Sequence, residues 1–173
     1  MTETWPDPTL PTSAKMTQTL AALDQARQDA ALDATTRALL DRAHAALRSA
    51  LDDTESERQL YAALFDAMPD PVSILDWDGT VLDLNKAGMT AYRRPREEIV
   101  GKPIEVLNPD LPKDHLVPVW EALSRGDTYS VEVTNMRGDG SRFPVEVHSA
   151  GLDYKGSKRI VAVARDLSSR WQA

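Results

Sequence analysis

Residues 69–85 read PDPVSILDWDGTVLDLN, and this stretch decides the fold. Pro69 and Pro71 end any helix arriving from upstream, because proline lacks the amide hydrogen and clashes with the preceding turn. PVSILDW (71–77) and TVLDLN (80–85) are short runs rich in Val, Ile and Leu, joined at Asp78-Gly79, so they predict a β-hairpin. Further on, TYSVEVTNMR (128–137), a turn at Gly138-Asp139-Gly140, RFPVEVHSAGL (142–152), a turn at Lys155-Gly156 and KRIVAVARDL (158–167) repeat the texture. The stretch between the two groups, to about Arg125, is mostly helical in character. Two strands, several short helices and three strands predict an α+β fold: a five-stranded antiparallel sheet with helices gathered on one face.

Upstream of Pro69 the pattern is helical. A helix carrying Leu60, Leu64 and Phe65 leads into the hairpin, and in DDTESE (52–57) Thr54 or Ser56 is placed to cap it. Residues 15–51 hold no Gly or Pro and are rich in Ala and Leu, a strong helix-forming composition. Leu32, Leu39 and Ala46 recur at seven-residue spacing, a coiled-coil stripe that calls for a partner. Asp33 is suited to cap a second helix from Ala34, so the segment is either one rod or an antiparallel hairpin. With Pro6, Pro8 and Pro11, residues 1–14 read as a disordered tail. The expected organisation is therefore a tail over 1–14, a helical segment over 15–53 and a sheet domain over 54–173.

The composition narrows function. A net charge of −7 and the absence of a Lys/Arg cluster argue against sequence-independent nucleic-acid binding. The chain has no cysteine, which excludes disulfides, thiolate metal sites, cysteine nucleophiles and cysteine photoadducts. The acidic, proline-rich N-terminus has no apolar run, so neither a signal peptide nor a membrane span is expected, and the cytoplasm is the expected compartment. Neither a nucleophile elbow nor a phosphate-binding glycine loop nor a histidine pair at metal spacing occurs, so the chain itself is expected not to be an enzyme.

AMPDPVSILDWDGTVLDLNKAG (67–88), EEIVGKP (97–103), MRGDGSRFPVEV (136–147) and RDLSS (165–169), in this order and spacing, resemble the PAS domain family over roughly residues 58–170. The resemblance implies a sensory module of a signal-transduction protein, such as a two-component system. It also implies that Asn85 caps the first core helix, and that Arg165, Asp166 and Ser168 form a relay set. Asp166 would tie the last strand to an output helix capped by Ser168, the alternative being a strand-end Asp paired with a nearby Arg. Because the relay signature lies just before Trp171-Gln172-Ala173, the chain reads as a fragment of a longer protein, such as a sensor histidine kinase or a cyclic-dinucleotide enzyme.

PAS domains enclose a small cavity, and Tyr92, His115, Trp120 and Tyr129 are the candidates to line it, with large apolar residues such as Ile74, Leu84, Leu107 and Val133. His115 lies close to where haem-binding members carry their proximal histidine, which makes a haem gas sensor one alternative. Lys113 and Asp114 beside it read instead as a solvent-facing histidine near a helix start. His148 in β-like FPVEVHS reads as a surface position, and His44 lacks a phosphotransfer motif around it. The expectation is a homodimeric sensor with no resident cofactor and no metal, taking a small ligand (an acyl chain or organic acid among the choices) and relaying to an output domain. A ligand-free dimerisation or adaptor module is the other alternative.

Overall fold

The computed structural model describes residues 11–28, 33–154 and 156–171. Residues 1–10 of the expected tail, Leu32 of the heptad stripe and Lys155 of the last turn lie outside them. The described residues fall into two compact units, one ending at Ala63 and the other starting at Leu64.

The N-terminal unit contains α1 (Pro11–Arg27) and most of α2 (Ala34–Ala67). Asp33 separates them as a cap: its carboxylate accepts the Thr36 N–H at 2.9 Å and the Thr36 hydroxyl at 2.7 Å. Arg27 Nε reaches Asp41 at 2.6 Å and His44 Nε2 lies 3.4 Å from Asp24. These pairings run in opposite senses along the chain, so α1 and α2 form an antiparallel hairpin rather than one rod. The expected break at DDTESE is absent, because α2 continues through it. Thr54 turns its hydroxyl back to the Ala50 carbonyl at 2.9 Å instead of capping, and Glu55 bonds Arg58 at 2.7 Å and Gln59 at 3.1 Å within the helix. Pairs at these spacings support a helix where composition alone looks like a turn.

In the second unit the strands are β1 (Val72–Asp76), β2 (Val81–Leu84), β3 (Tyr129–Met136), β4 (Arg142–Tyr154) and β5 (Ser157–Asp166). They form one sheet in the order β2-β1-β5-β4-β3, antiparallel at every pairing. Gly79 takes a left-handed φ of +90° in the turn joining β1 and β2, which explains glycine there. Between β2 and β3 lie α3 (Lys86–Tyr92), single 3-10 turns at Arg96–Glu98 and Ile104–Val106, and α4 (Val117–Ser124); α5 (Ser168–Trp171) follows β5. Pro118 falls in the first turn of α4, where a missing N–H costs no bond. The β2 margin is held by a strap: Val81 N–H bonds Lys102 O at 2.9 Å and Gly101 N–H bonds Val81 O at 2.7 Å.

Val81, Leu84, Ile99, Val145 and Ile160 are at most 2% exposed and pack between the sheet and its helices. Burying each is worth roughly 1.5–3 kcal/mol. Asn85 is a buried polar joint at 0% exposure. Its Oδ1 accepts N–H bonds from Val72 (2.9 Å) and Gly88 (3.0 Å), and its Nδ2 donates to the carbonyls of Phe65 (3.1 Å) and Asp70 (3.0 Å). One amide thus caps α3 and ties it to β1 and to the chain entering it.

Candidate functional site

Side chains alternate across a strand, so one face of the sheet is set by every second residue. In register across that face stand Ser73 on β1, Ala162 on β5 and Ser149 on β4. Small side chains in a row leave the helices above with nothing to fill the middle. The result is a cavity of about 450 Å³, roofed by Tyr92 of α3, the segment from Asn108 to Leu116, and Val119 of α4. The volume is that of an ordinary small-molecule pocket, and most of the lining is apolar.

Tyr92, His115 and Tyr129 line this cavity together. Trp120 does not: its indole N–H donates to the Trp77 carbonyl at 2.7 Å, away from the lining. Leu107 and Val133 line it, whereas Ile74 sits on the opposite face of β1 from Ser73 and Leu75, and Leu84 packs beneath Gly88. The Tyr92 phenol is buried, accepts a bond from Asn135 Nδ2 at 2.9 Å, and is pushed up to about 12 by that burial, so it stays neutral.

His115 departs from the solvent-facing expectation. Its side chain is 11% exposed. Nδ1 lies 2.7 Å from the Pro112 carbonyl, a tight turn that folds the ring back over its own backbone while Lys113 and Asp114 face outward. Nε2 is buried without a hydrogen-bond partner, and the nearest carboxylate oxygen, of Glu105, is 3.8 Å away.

At the end of β5, Asp166 accepts the Ser168 N–H at 2.8 Å. The carboxylate itself therefore takes the first helical amide, and Ser168 lies inside α5 instead of capping it. Burial raises the Asp166 carboxyl, but the Ser168 hydroxyl and N–H, together with Arg137, outweigh it and hold the group below the usual carboxylate range. Arg165 is exposed, opposite Glu146 on β4. Arg137 is the residue that sequence reasoning did not single out. Its guanidinium lies 3.7 Å over the Phe143 ring, donates to the Ala91 carbonyl, and comes within 3.5 Å of Asp166. Phe143 in turn meets Tyr92 edge-on at 5.6 Å between ring centres. A succession of contacts thus joins the cavity wall to Asp166. Its only sequence sign is an arginine directly before a Gly-Asp-Gly turn.

On the other face of the sheet, Ser130 Oγ is 2.6 Å from His148 Nδ1, and His148 Nε2 is 3.2 Å from Glu146. The order of groups is that of a hydrolytic triad, but it lies in mid-strand, half exposed, and outside the lining of the cavity. Among the described residues no group of three or more His, Cys, Asp or Glu is placed to hold a metal, and no helix is long and apolar enough to cross a membrane.

Comparison with known proteins agrees with this geometry. A family model described as PAS domain matches residues 69–169. The PAS domain of an HTR-like protein from Haloarcula marismortui superposes with a TM-score of 0.63 at 25% identity, covering 69% of this chain and 98% of that one. A domain of a sensory box sensor histidine kinase/response regulator from Geobacter sulfurreducens gives 0.54 at 26% identity, covering 64% and 94%. An uncharacterised protein of Azorhizobium caulinodans is 31% identical over 118 residues, which is 62% of this chain; the chain spans 16% of that relative's length.

Proposed function

The chain belongs to the PAS domain family, and from that premise we propose that it is the ligand-sensing, dimeric input module of a longer cytoplasmic signalling protein, itself without catalytic activity. The observation that carries the reading is the succession Tyr92, Phe143, Arg137, Asp166, which begins in a cavity wall and ends at the residue opening the last helix. A ligand that shifts Tyr92 changes the packing of Phe143, hence the seat of Arg137, hence the carboxylate that holds the Ser168 amide. A linkage of this kind responds only to a ligand with different affinity for two arrangements, and a few kcal/mol of difference suffices.

Dimerisation is supported by α2, where Leu60 and Leu64 are 60% and 59% exposed and one helical turn apart. A second copy of this helix is the occupant that an exposed apolar i, i+4 pair calls for. Light scattering should then give twice 19.1 kDa, falling to the monomer mass in Leu60→Glu/Leu64→Glu. Haem fits the donor set poorly. One imidazole is available, but among the described residues no Lys or Arg lines the cavity to meet the propionates, and Asp114 is in the lining.

The test of the sensory reading is a thermal-shift screen of the purified chain against a metabolite panel, followed by amide exchange with each stabilising compound. A ligand at one hundred times its Kd should add about 2.7 kcal/mol. It should also change exchange at Ser168 in the native chain and not in Arg137→Met. Stabilisation with Ser168 unaltered in both would refute the relay.

A further inference from the structure

We infer that the cavity takes an uncharged, two-ended ligand that lies across the sheet and hydrogen-bonds Ser73 with one end and Ser149 with the other. The inference rests on reading the cavity as a ligand site and adds the polarity and length of the ligand. Ser73 of β1 and Ser149 of β4 both pair with Ala162 of β5, so the three stand in one row across the strands. All three line the cavity. Each serine is only 7% exposed, and among the described residues neither hydroxyl has a hydrogen-bond partner. Neither oxygen is sealed in packing, so the surface that each retains opens into the cavity. Buried hydroxyls in native proteins are nearly always bonded to protein, water or ligand, and two left open in one row mark where a guest bonds.

Spacing and surroundings set the rest. Neighbouring strands lie about 4.8 Å apart, and one strand separates β1 from β4, which puts the two serines roughly 9.5 Å apart. Between them Ala162 offers only a methyl group, with Leu75, Ile160 and Ala164 around it. A guest spanning the row therefore has polar ends and an apolar middle. Its ends are neutral, because among the described residues no Lys or Arg lines the cavity. The nitrogens of His115 supply no charge to the row: Nδ1 is turned to the Pro112 carbonyl and Nε2 is enclosed. Asp114, the one carboxylate in the lining, is exposed, whereas the row is buried. A charged end would shed its hydration there and gain no opposite charge. A serine hydroxyl can donate or accept, so a hydroxyl at each end of the guest suits both.

The experiment titrates the full chain, followed by the amide resonances of β1 and β4, with α,ω-heptanediol, octanol and heptanedioate. The extended diol sets its two oxygens at about the separation of the serines, and it should bind more tightly than heptanedioate. Ser73→Ala and Ser149→Ala should each weaken the diol about fivefold, the value of one hydrogen bond, and the double variant about 25-fold. Octanol has one hydroxyl and can turn to whichever serine remains. Either single substitution should therefore weaken it less than about twofold, and the double variant about fivefold. Heptanedioate binding as tightly as the diol, a diol indifferent to either substitution, or octanol losing as much as the diol in each, overturns the chemistry and leaves the ligand reading standing. Binding by none of the three overturns the ligand reading and the inference with it. Because neither hydroxyl has a protein partner, both single variants should match or exceed the native urea midpoint without ligand. A lower midpoint, or failure to fold, would show the hydroxyl already committed within the protein and overturns the proposal.

Discussion

Replacing Asn85 with alanine should destabilise the sheet unit by about 3 kcal/mol, and the structure shows how that sum arises. The amide is fully buried and makes bonds to Val72, Gly88, Phe65 and Asp70. Loss of the cap on α3 costs about 1 kcal/mol. Stranding the buried Val72 N–H costs roughly 1–3 kcal/mol, and the two carbonyls, each with a second lone pair, add less. With a urea dependence of roughly 1.5 kcal/mol per M, the midpoint should fall by ~2 M. The assay is urea denaturation of the whole chain followed through the amide resonances of β5, which report this unit and not the helical hairpin. Asn85→Asp keeps the shape and both accepted bonds but turns an oxygen toward the carbonyls of Phe65 and Asp70. Burial and those carbonyls raise its folded pKa, so stability is higher below that pKa and lost as pH rises through it. A midpoint shift under ~0.5 M for Asn85→Ala, or an Asn85→Asp variant that gains stability with rising pH, would refute this account.

Other consequences are open to direct measurement. In Gly138→Ala the new Cβ would sit 2.5 Å from the Arg93 carbonyl oxygen and 2.8 Å from Arg94 Cγ, with Arg93 already held at φ 51°. The backbone must yield, at about 1–3 kcal/mol, read as a urea midpoint lowered by ~1 M; an unchanged midpoint contradicts the contact. Asp166 has a folded pKa below its unfolded value, so the stability it contributes is present above the ordinary carboxylate range and is lost as pH falls through the folded value. Asp166→Asn should therefore flatten the acid limb of midpoint against pH, and parallel curves for the two proteins would show the carboxylate to be idle. Asp33→Ala removes the acceptor of the Thr36 amide, so exchange at Thr36 should quicken while residues deep in α2 are unaffected; equal protection at Thr36 would deny the cap.

The hairpin and the succession of strands along the chain were legible because turn chemistry and strand texture are local, whereas their order across the sheet was not: Asp78-Gly79 needs its positive φ, and the runs on either side have few other uses. The cavity floor was harder to read. Ser73, Ala162 and Ser149 carry no chemical signal, and only their register across β1, β5 and β4 turns small size into open volume. His115 was read in two ways, as a cavity-lining candidate and, because Lys113 and Asp114 look hydrophilic, as a solvent-facing ring; the turn that closes on Pro112 tucks it into the lining. DDTESE resembles a linker by composition, yet its i, i+3 and i, i+4 pairs are content within a helix. Arg137 escaped notice because its role depends on three partners far apart in the chain, Ala91, Phe143 and Asp166.

The strap across β2 makes the sheet directional as a template for assembly. With Val81 already bonded to Lys102 and Gly101, an incoming strand finds the start of that margin occupied, whereas β3, at the far end of the order, is paired on one side by β4. Edge strands of this kind recruit other chains unless something discourages them. Here Glu132 of β3 lies opposite Glu146, so an extra strand would add its charge to two acids already side by side. Strand addition thus meets a backbone strap at Val81 on one flank and a pair of adjacent acids on the other.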